Sequence, residues 1–202
     1  MRTYALQHDS WMRKSRLQRE GTAMVVTAVS SENSSVEDFM LILPEHMEWV
    51  DGQLIEKNGM TLQHSEIQIN LGFYWKSYTI SSGQGGKVYT DVPCRTNKQG
   101  RRPDVAYLTP ELVTQFGKAD ILPQSFPLIA EIVSPTDIAE DVFLKAQEYL
   151  PSGCEEVWLV FLESRLVLVM TQTRILGFKA GEVVSTKEVL HGFSIAVDEL
   201  LA

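Results

Sequence analysis

Glu131 is the only charge in the apolar run Leu128-Ile129-Ala130-Glu131-Ile132-Val133. The length and flanks of that run suit a buried central strand. An ionised carboxylate there costs several kcal/mol unless it is paired, hydrogen-bonded or bound to a metal. Asp104 follows Pro103 at the head of another apolar stretch, Val105-Ala106-Tyr107-Leu108. Two strands of one sheet can bring such carboxylates together at an edge of the core. A small set of oxygen ligands completed by water suits Mg²⁺ or Mn²⁺. The same residues also allow a plainer arrangement, with Asp104 in a turn and Glu131 paired to an arginine.

Further polar residues recur around this pair. Asp141, Lys145 and Tyr149 are spaced four apart, which puts them on one helical face about 5–6 Å from neighbour to neighbour. A helix entered directly from the strand of Glu131 must fold back on the sheet, so one face looks toward the strand's carboxyl end. The plainer alternative is an exposed Asp141–Lys145 pair. Lys87, Arg95, Lys98, Arg101 and Arg102 fall in one strand–turn–strand segment opposed only by Asp91. That pattern suits a local phosphate-binding patch, and equally a solvated hairpin tip. His64 opens a long helix, where it either meets a phosphate or packs on the sheet.

The elements that must position these groups follow from periodicity. Residues 36–42 read as a short helix capped by Ser34 or Ser35 and stopped by Pro44. Residues 47–56 read as two strands about Asp51-Gly52, a dipeptide that tolerates the positive φ of a tight turn. In 61–80, Ile67, Leu71, Tyr74, Trp75 and Tyr78 mark one face of an amphipathic helix. Residues 87–95 and 103–108 read as paired strands joined by Asn97-Lys98-Gln99-Gly100, and 109–126 as a loop. The segment opening at Ser134-Pro135-Thr136-Asp137 reads as a helix to about Leu150, stopped by Pro151 and Gly153. Residues 157–162 and 166–170 are apolar strands, and the remainder adds edge strands and a last turn. No internal repeat is visible.

Composition narrows the function classes. A chain of 202 residues with 44% hydrophobic content can bury one sizeable core. The formal charge of −8 argues against coating nucleic acid by bulk electrostatics, so such a partner would need a local basic patch. Cys94 and Cys154 are too few for a disulfide framework and lack the spacing of a zinc site; they read as reduced thiols of a cytoplasmic protein. No run approaches the roughly 18 apolar residues of a membrane span. Arg13, Lys14, Arg16 and Arg19 before the apolar run 23–29 have the order of a signal peptide's first regions, but the run is short and interrupted by Thr27. Residues 1–35 lack sustained periodicity and are expected to form a poorly ordered tail ahead of one domain, 36–202. Residues 1–23 are expected to be dispensable, with Met24 as the natural start.

Taken in order, Arg101-Arg102-Pro103-Asp104-Val105-Ala106-Tyr107, Ile129-Ala130-Glu131-Ile132-Val133-Ser134-Pro135, the triplet Asp141, Lys145 and Tyr149, and Glu156-Val157-Trp158-Leu159-Val160 resemble the Uma-two family of restriction-endonuclease-like proteins. Val50-Asp51-Gly52-Gln53-Leu54-Ile55-Glu56, His64 and Gly192-Phe193-Ser194 match as well, so the resemblance covers roughly residues 36–201.

The resemblance implies an α/β restriction-endonuclease-like core of the PD-(D/E)XK superfamily, a mixed central sheet flanked by helices, with a metal site at Asp104 and Glu131. The superfamily's lysine two positions after the acidic residue is replaced here by Val133, and the family is thought to supply it from the next helix, where Lys145 fits. Glu56 is implied as a further metal or water contact. Phe161 and Val157 depart from the Asp and Tyr usual in relatives, at positions that look structural. The implied activity is Mg²⁺- or Mn²⁺-dependent endonucleolytic hydrolysis, with DNA as the expected substrate and a homodimer as the implied arrangement for cutting two strands. The competing reading is a nuclease-fold module without catalysis that binds nucleic acid or protein. If Lys145 is catalytic, its replacement by Met is expected to leave folding nearly intact.

Overall fold

The computed structural model describes residues 35–42, 44–57 and 61–202. The N-terminal tail, the signal-like order of residues 13–29 and the start at Met24 lie outside the described residues, which belong to one compact unit, 32–202.

Helix α1 (Val36–Ile42) opens as expected: Ser35 Oγ accepts from the Asp38 N–H at 3.1 Å, and the Asp38 carboxylate reaches back to the Ser35 N–H at 2.8 Å. This is the reciprocal capping arrangement that satisfies free amides at a helix start. Strands β1 (Met47–Val50) and β2 (Gln53–Glu56) pair antiparallel around Asp51 and Gly52, whose φ values of 49° and 87° give the predicted left-handed two-residue turn. Helix α2 (Leu62–Ser81) is capped by Thr61, whose side chain accepts from the His64 N–H.

The next segment departs from the sequence reading. Residues 87–95 do not form one strand. Strand β3 (Lys87–Thr90) ends at Asp91, where φ turns positive (53°), and the chain crosses to a second sheet as β4 (Cys94–Arg95). Strand β5 (Gly100–Arg101) pairs with β4 and with β1, and only β6 (Val105–Leu108) returns beside β3. The segment 109–126, expected as a loop, contains helix α3 (Pro110–Phe116), with Thr109 as its capping residue and Pro110 in its first turn, positions each residue favours.

Strand β7 (Leu128–Val133) is buried at every position. Helix α4 (Ala139–Tyr149) starts later than expected, because the Asp137 carboxylate closes a turn onto the Ser134 N–H instead of capping the helix. A 3₁₀ turn over Leu150–Ser152 and the left-handed Gly153 (φ 107°) lead into β8 (Glu156–Phe161). Strands β9 (Leu166–Met170) and β10 (Ile175–Lys179) extend the sheet. Strands β11 (Val183–Ser185) and β12 (Ser194–Ala196) form a separate pair before α5 (Val197–Leu200).

Among the described residues the main sheet has six strands in the order β10-β9-β8-β7-β6-β3. Among the described residues of this sheet only β7 and β8 run parallel, and α4 supplies the crossover that a parallel pair requires. The mixed α/β class with a central sheet flanked by helices is thus the one expected. Alternation along the strands separates two cores. Val105, Tyr107, Leu128, Ala130 and Ile132 pack with Ile67, Leu71 and Trp75 of α2, whereas Ala106, Leu108, Ile129 and Val133 pack with Ala146 and Tyr149 of α4. By the same alternation Asp104 and Glu131 project to the α4 side. Among the described residues, no helix is long and apolar enough to cross a membrane.

Candidate metal and phosphate site

The β6–β7 register pairs Val105 with Ala130, Ala106 with Ile129 and Tyr107 with Leu128. Continued by one step it sets Asp104 opposite Glu131, and residues so opposed share a face with Cβ atoms about 4.5–5.5 Å apart. Both side chains are buried and both line one cleft of about 330 Å³, together with Glu48, Lys57, His64 and Lys145. Asp104 Oδ2 accepts from the Ile132 N–H at 2.7 Å, which fixes its carboxylate against β7.

Each acid already has a cationic neighbour. Lys145, reaching back from the second turn of α4, sets its ammonium 3.1 Å from Glu131 Oε2 and 2.9 Å from Glu48 Oε1. One turn on, the Tyr149 hydroxyl donates to Glu131 Oε1 at 2.8 Å. Lys57, directly after β2, places Nζ 2.6 Å from Asp104 Oδ1 and 2.7 Å from Asp91 Oδ1. Gln68 of α2 bridges the Asp91 carboxylate and the Asp104 carbonyl. His64 Nε2 stands 3.4 Å from Asp104 Oδ1, a close polar contact without a hydrogen bond's alignment, and its Nδ1 is 3.4 Å from Ser134 Oγ.

Burial and charge set the protonation states. Burial pushes the Glu131 carboxyl up to about 7, with Asp104 and Glu48 adding to the rise and Lys145 and Lys57 opposing it. Burial would raise Asp104 as well, but His64, Lys57 and Lys145 outweigh it and hold this acid well below the usual carboxylate range. Glu48 is also lowered: against its burial work Lys145 and Arg101. For Lys145, burial favours the neutral amine, yet Glu131, Glu48 and Asp104 more than compensate and keep it charged. Burial, reinforced by Glu131 and Glu48, holds the Tyr149 phenol protonated as a donor. The cleft's inner wall therefore carries three buried acids against two ammonium groups.

The donor set can be tested against a cation. Among the described residues, no three His, Cys, Asp or Glu side chains converge on one point, so the protein would supply two carboxylates and leave the other positions to water and backbone. That oxygen-only, partly hydrated set fits Mg²⁺ or Mn²⁺ and not a closed zinc site. A cation entering between Asp104 and Glu131 would have to displace or share the Lys57 and Lys145 contacts.

The remaining expected residues divide clearly. Asp141 and Glu56 are exposed and line the same cleft. Asp141 shares the α4 face with Lys145, but Lys145 turns to Glu131 and Glu48. The expected basic patch does not assemble. Arg101 spans Glu48 and Glu148 and is mostly buried. Arg102 donates to the carbonyls of Pro44, Met47 and Asp91, tying the two sheets together. Arg95 pairs with Glu37 of α1. Lys87 lies at the far end of β3, opposite Leu108, and Lys98 is exposed on the β4–β5 turn, which lines a second cavity that adjoins the cleft and shares Glu48, Ile55, Arg101 and Asp141 with it. Two of the five cations thus brace the fold, because the segment carrying them crosses between sheets.

Sequence reasoning missed Glu48 and Lys57. Glu48 carried the signal that marked Glu131, a single charge in the apolar run Met47-Glu48-Trp49-Val50. Lys57 carried none: it follows a short strand whose last residue, Glu56, is exposed.

A family model described as "Uma2: Putative restriction endonuclease" matches residues 36–198. The chain belongs to the Uma2 family. A solved structure described as a "putative nuclease belonging to DUF820 from Anabaena variabilis" matches this Uma2 chain with a TM-score of 0.74, at 19% identity, over 84% of this chain and 98% of the other. At that identity the likeness concerns the fold. No curated protein matches.

Proposed function

We propose that this Uma2 chain is a Mg²⁺- or Mn²⁺-dependent endonuclease hydrolysing phosphodiester bonds in DNA, with Asp104 and Glu131 as metal ligands and Lys145 as the catalytic cation. The observation that carries the reading is the opposition of Asp104 and Glu131 across β6 and β7, with Lys145 directed into the same cleft. A divalent cation bound there would polarise a phosphate oxygen and acidify a water.

The chain's own groups do the rest. The Ile132 N–H orients Asp104, and Tyr149 and Lys145 orient Glu131. Lys145 is positioned to stabilise negative charge developing on the phosphate, a role that groups fixed before the reaction perform best. His64 at the cleft wall can donate to a phosphate oxygen once Asp104 is engaged. With Arg102 committed to the fold and Arg101 held by Glu48 and Glu148 in the cleft wall, substrate contact falls to the cleft itself. The buried free thiols Cys94 and Cys154 suit a reducing cytoplasm.

A second reading, a binding module without catalysis, draws on the fact that Lys57 and Lys145 already compensate Asp104 and Glu131 without any metal. Incubation with supercoiled plasmid in Mg²⁺, Mn²⁺ or EDTA separates the two. The endonuclease reading expects nicked circles only with metal, whereas DNA retarded on a gel but left uncut in all three supports the module.

A further inference from the structure

We propose that two copies of the chain associate through the outward face of α2, packed antiparallel about a two-fold axis level with residue 71. The inner face of α2 is accounted for by Ile67, Leu71 and Trp75, which are buried against the sheet. Its outer face is apolar too: Leu62, Ile69, Phe73 and Ile80 are 92%, 67%, 63% and 70% exposed. At 3.6 residues per turn these four lie along one line parallel to the axis, and Glu66 and Lys76 fall within about 40° of it. The outward stripe is therefore Leu62, Glu66, Ile69, Phe73, Lys76 and Ile80.

This order is its own complement when reversed. About residue 71, Leu62 falls opposite Ile80 of a second copy, Glu66 opposite Lys76, and Ile69 opposite Phe73. An isologous two-fold contact requires this kind of self-complementarity. Apolar residues meet apolar ones at every level, and the only charges meet with opposite sign, twice over by symmetry. Neither Glu66 nor Lys76 has an ion-pair partner among the described residues. A parallel pairing would instead stack Glu66 on Glu66 and Lys76 on Lys76, so the charges select the antiparallel sense.

The association uses no residue of the metal cleft, so it stands apart from the nuclease reading. It is measured on the full chain without metal or DNA, by sedimentation velocity from about 1 to about 100 µM. The wild type is expected to shift from monomer to dimer across this range. Glu66→Lys and Lys76→Glu each set like charges opposite one another twice, and each should raise the dimer dissociation constant roughly tenfold or more. Mixed in equal amounts, the two variants should form a heterodimer. The first carries two lysines on its stripe and the second two glutamates, so both cross-helix pairs again join opposite charges. Phe73→Glu should leave a monomer with an unchanged far-ultraviolet spectrum. A wild type that stays monomeric at about 100 µM, as it would if another segment of the chain covered the stripe, overturns the proposal. So does a dimer that ignores both charge reversals, or a pair of reversed variants that fail to recombine.

Discussion

Replacing Lys145 with methionine removes the ammonium from between two buried acids, 2.9 Å from Glu48 and 3.1 Å from Glu131. The side chains are only 15%, 10% and 8% exposed for Lys145, Glu48 and Glu131, so water screens the loss poorly. Removing one partner of such a pair costs about 3–5 kcal/mol, because the other charge remains buried and unpaired. Two features moderate it here. Glu48 keeps the Arg101 guanidinium and the Arg102 N–H, and Glu131, already pushed up to about 7, can take a proton. The expected loss is about 3 kcal/mol at pH 8. For a chain of this size that is a fall of roughly 6–12 °C in Tm. The loss should be smaller at pH 5.5, where Glu131 is protonated in wild type and variant alike. The burial thus revises the expectation that this substitution leaves folding intact; cleavage should fall about a hundredfold or more as well, measured below the variant's Tm. Differential scanning calorimetry at the two pH values provides the check. A Tm within one degree of wild type at pH 8 would refute the buried-pair account.

Metal should stabilise the protein in a pH-dependent way. A carboxyl raised to about 7 in the fold contributes stability that is complete below its unfolded value and lost as pH rises through about 7. A cation that prefers ionised Glu131 reverses that loss, so Mg²⁺ should raise Tm more at pH 8 than at pH 5.5; an equal shift at both contradicts the assignment. Lys57→Met removes the cation that competes for Asp104 Oδ1, so it should lower the metal-free Tm while tightening Mn²⁺ binding several-fold, as read by calorimetric titration. Glu156→Ala serves as the contrast. This buried acid accepts from the Trp158 indole and the Lys187 and Glu188 amides at 2.6, 2.6 and 2.8 Å. Its loss should cost about 2–4 kcal/mol of stability by chemical denaturation, with Mn²⁺ affinity unchanged.

Glu156 also shows what the sequence can and cannot tell about a buried acid. Glu131 and Glu156 both belong to apolar strands, yet one is satisfied by the N–H donors of Trp158, Lys187 and Glu188 and the other faces a cleft, a distinction made largely by residues distant in sequence. The main sheet was legible because β6 to β9 are buried and carry strong apolar patterns. Lys145 and Tyr149 were legible because helical spacing fixes a shared face and the preceding strand fixes where that face looks. The crossing of β4 and β5 to a second sheet was not, since it depends on the positive φ of Asp91 and on β1 as a pairing partner. Its consequence was the misread basic segment, in which Arg101 and Arg102 brace the junction. Helix α3 had its signal in Thr109-Pro110, overlooked because only seven residues follow the cap.

The central claim, that Asp104 and Glu131 hold one cation that drives phosphodiester cleavage, is tested most directly by titrating Mn²⁺ and following its electron paramagnetic resonance signal. Wild type and Asp104→Asn are compared, with cleavage of an end-labelled duplex measured on the same samples. The wild type should bind one Mn²⁺ per chain and cut as the site fills. Asp104→Asn should stay folded, bind Mn²⁺ at least about tenfold more weakly and cut at least about a hundredfold more slowly. Equal Mn²⁺ binding by the two proteins, or cleavage that persists in Asp104→Asn, would contradict the account.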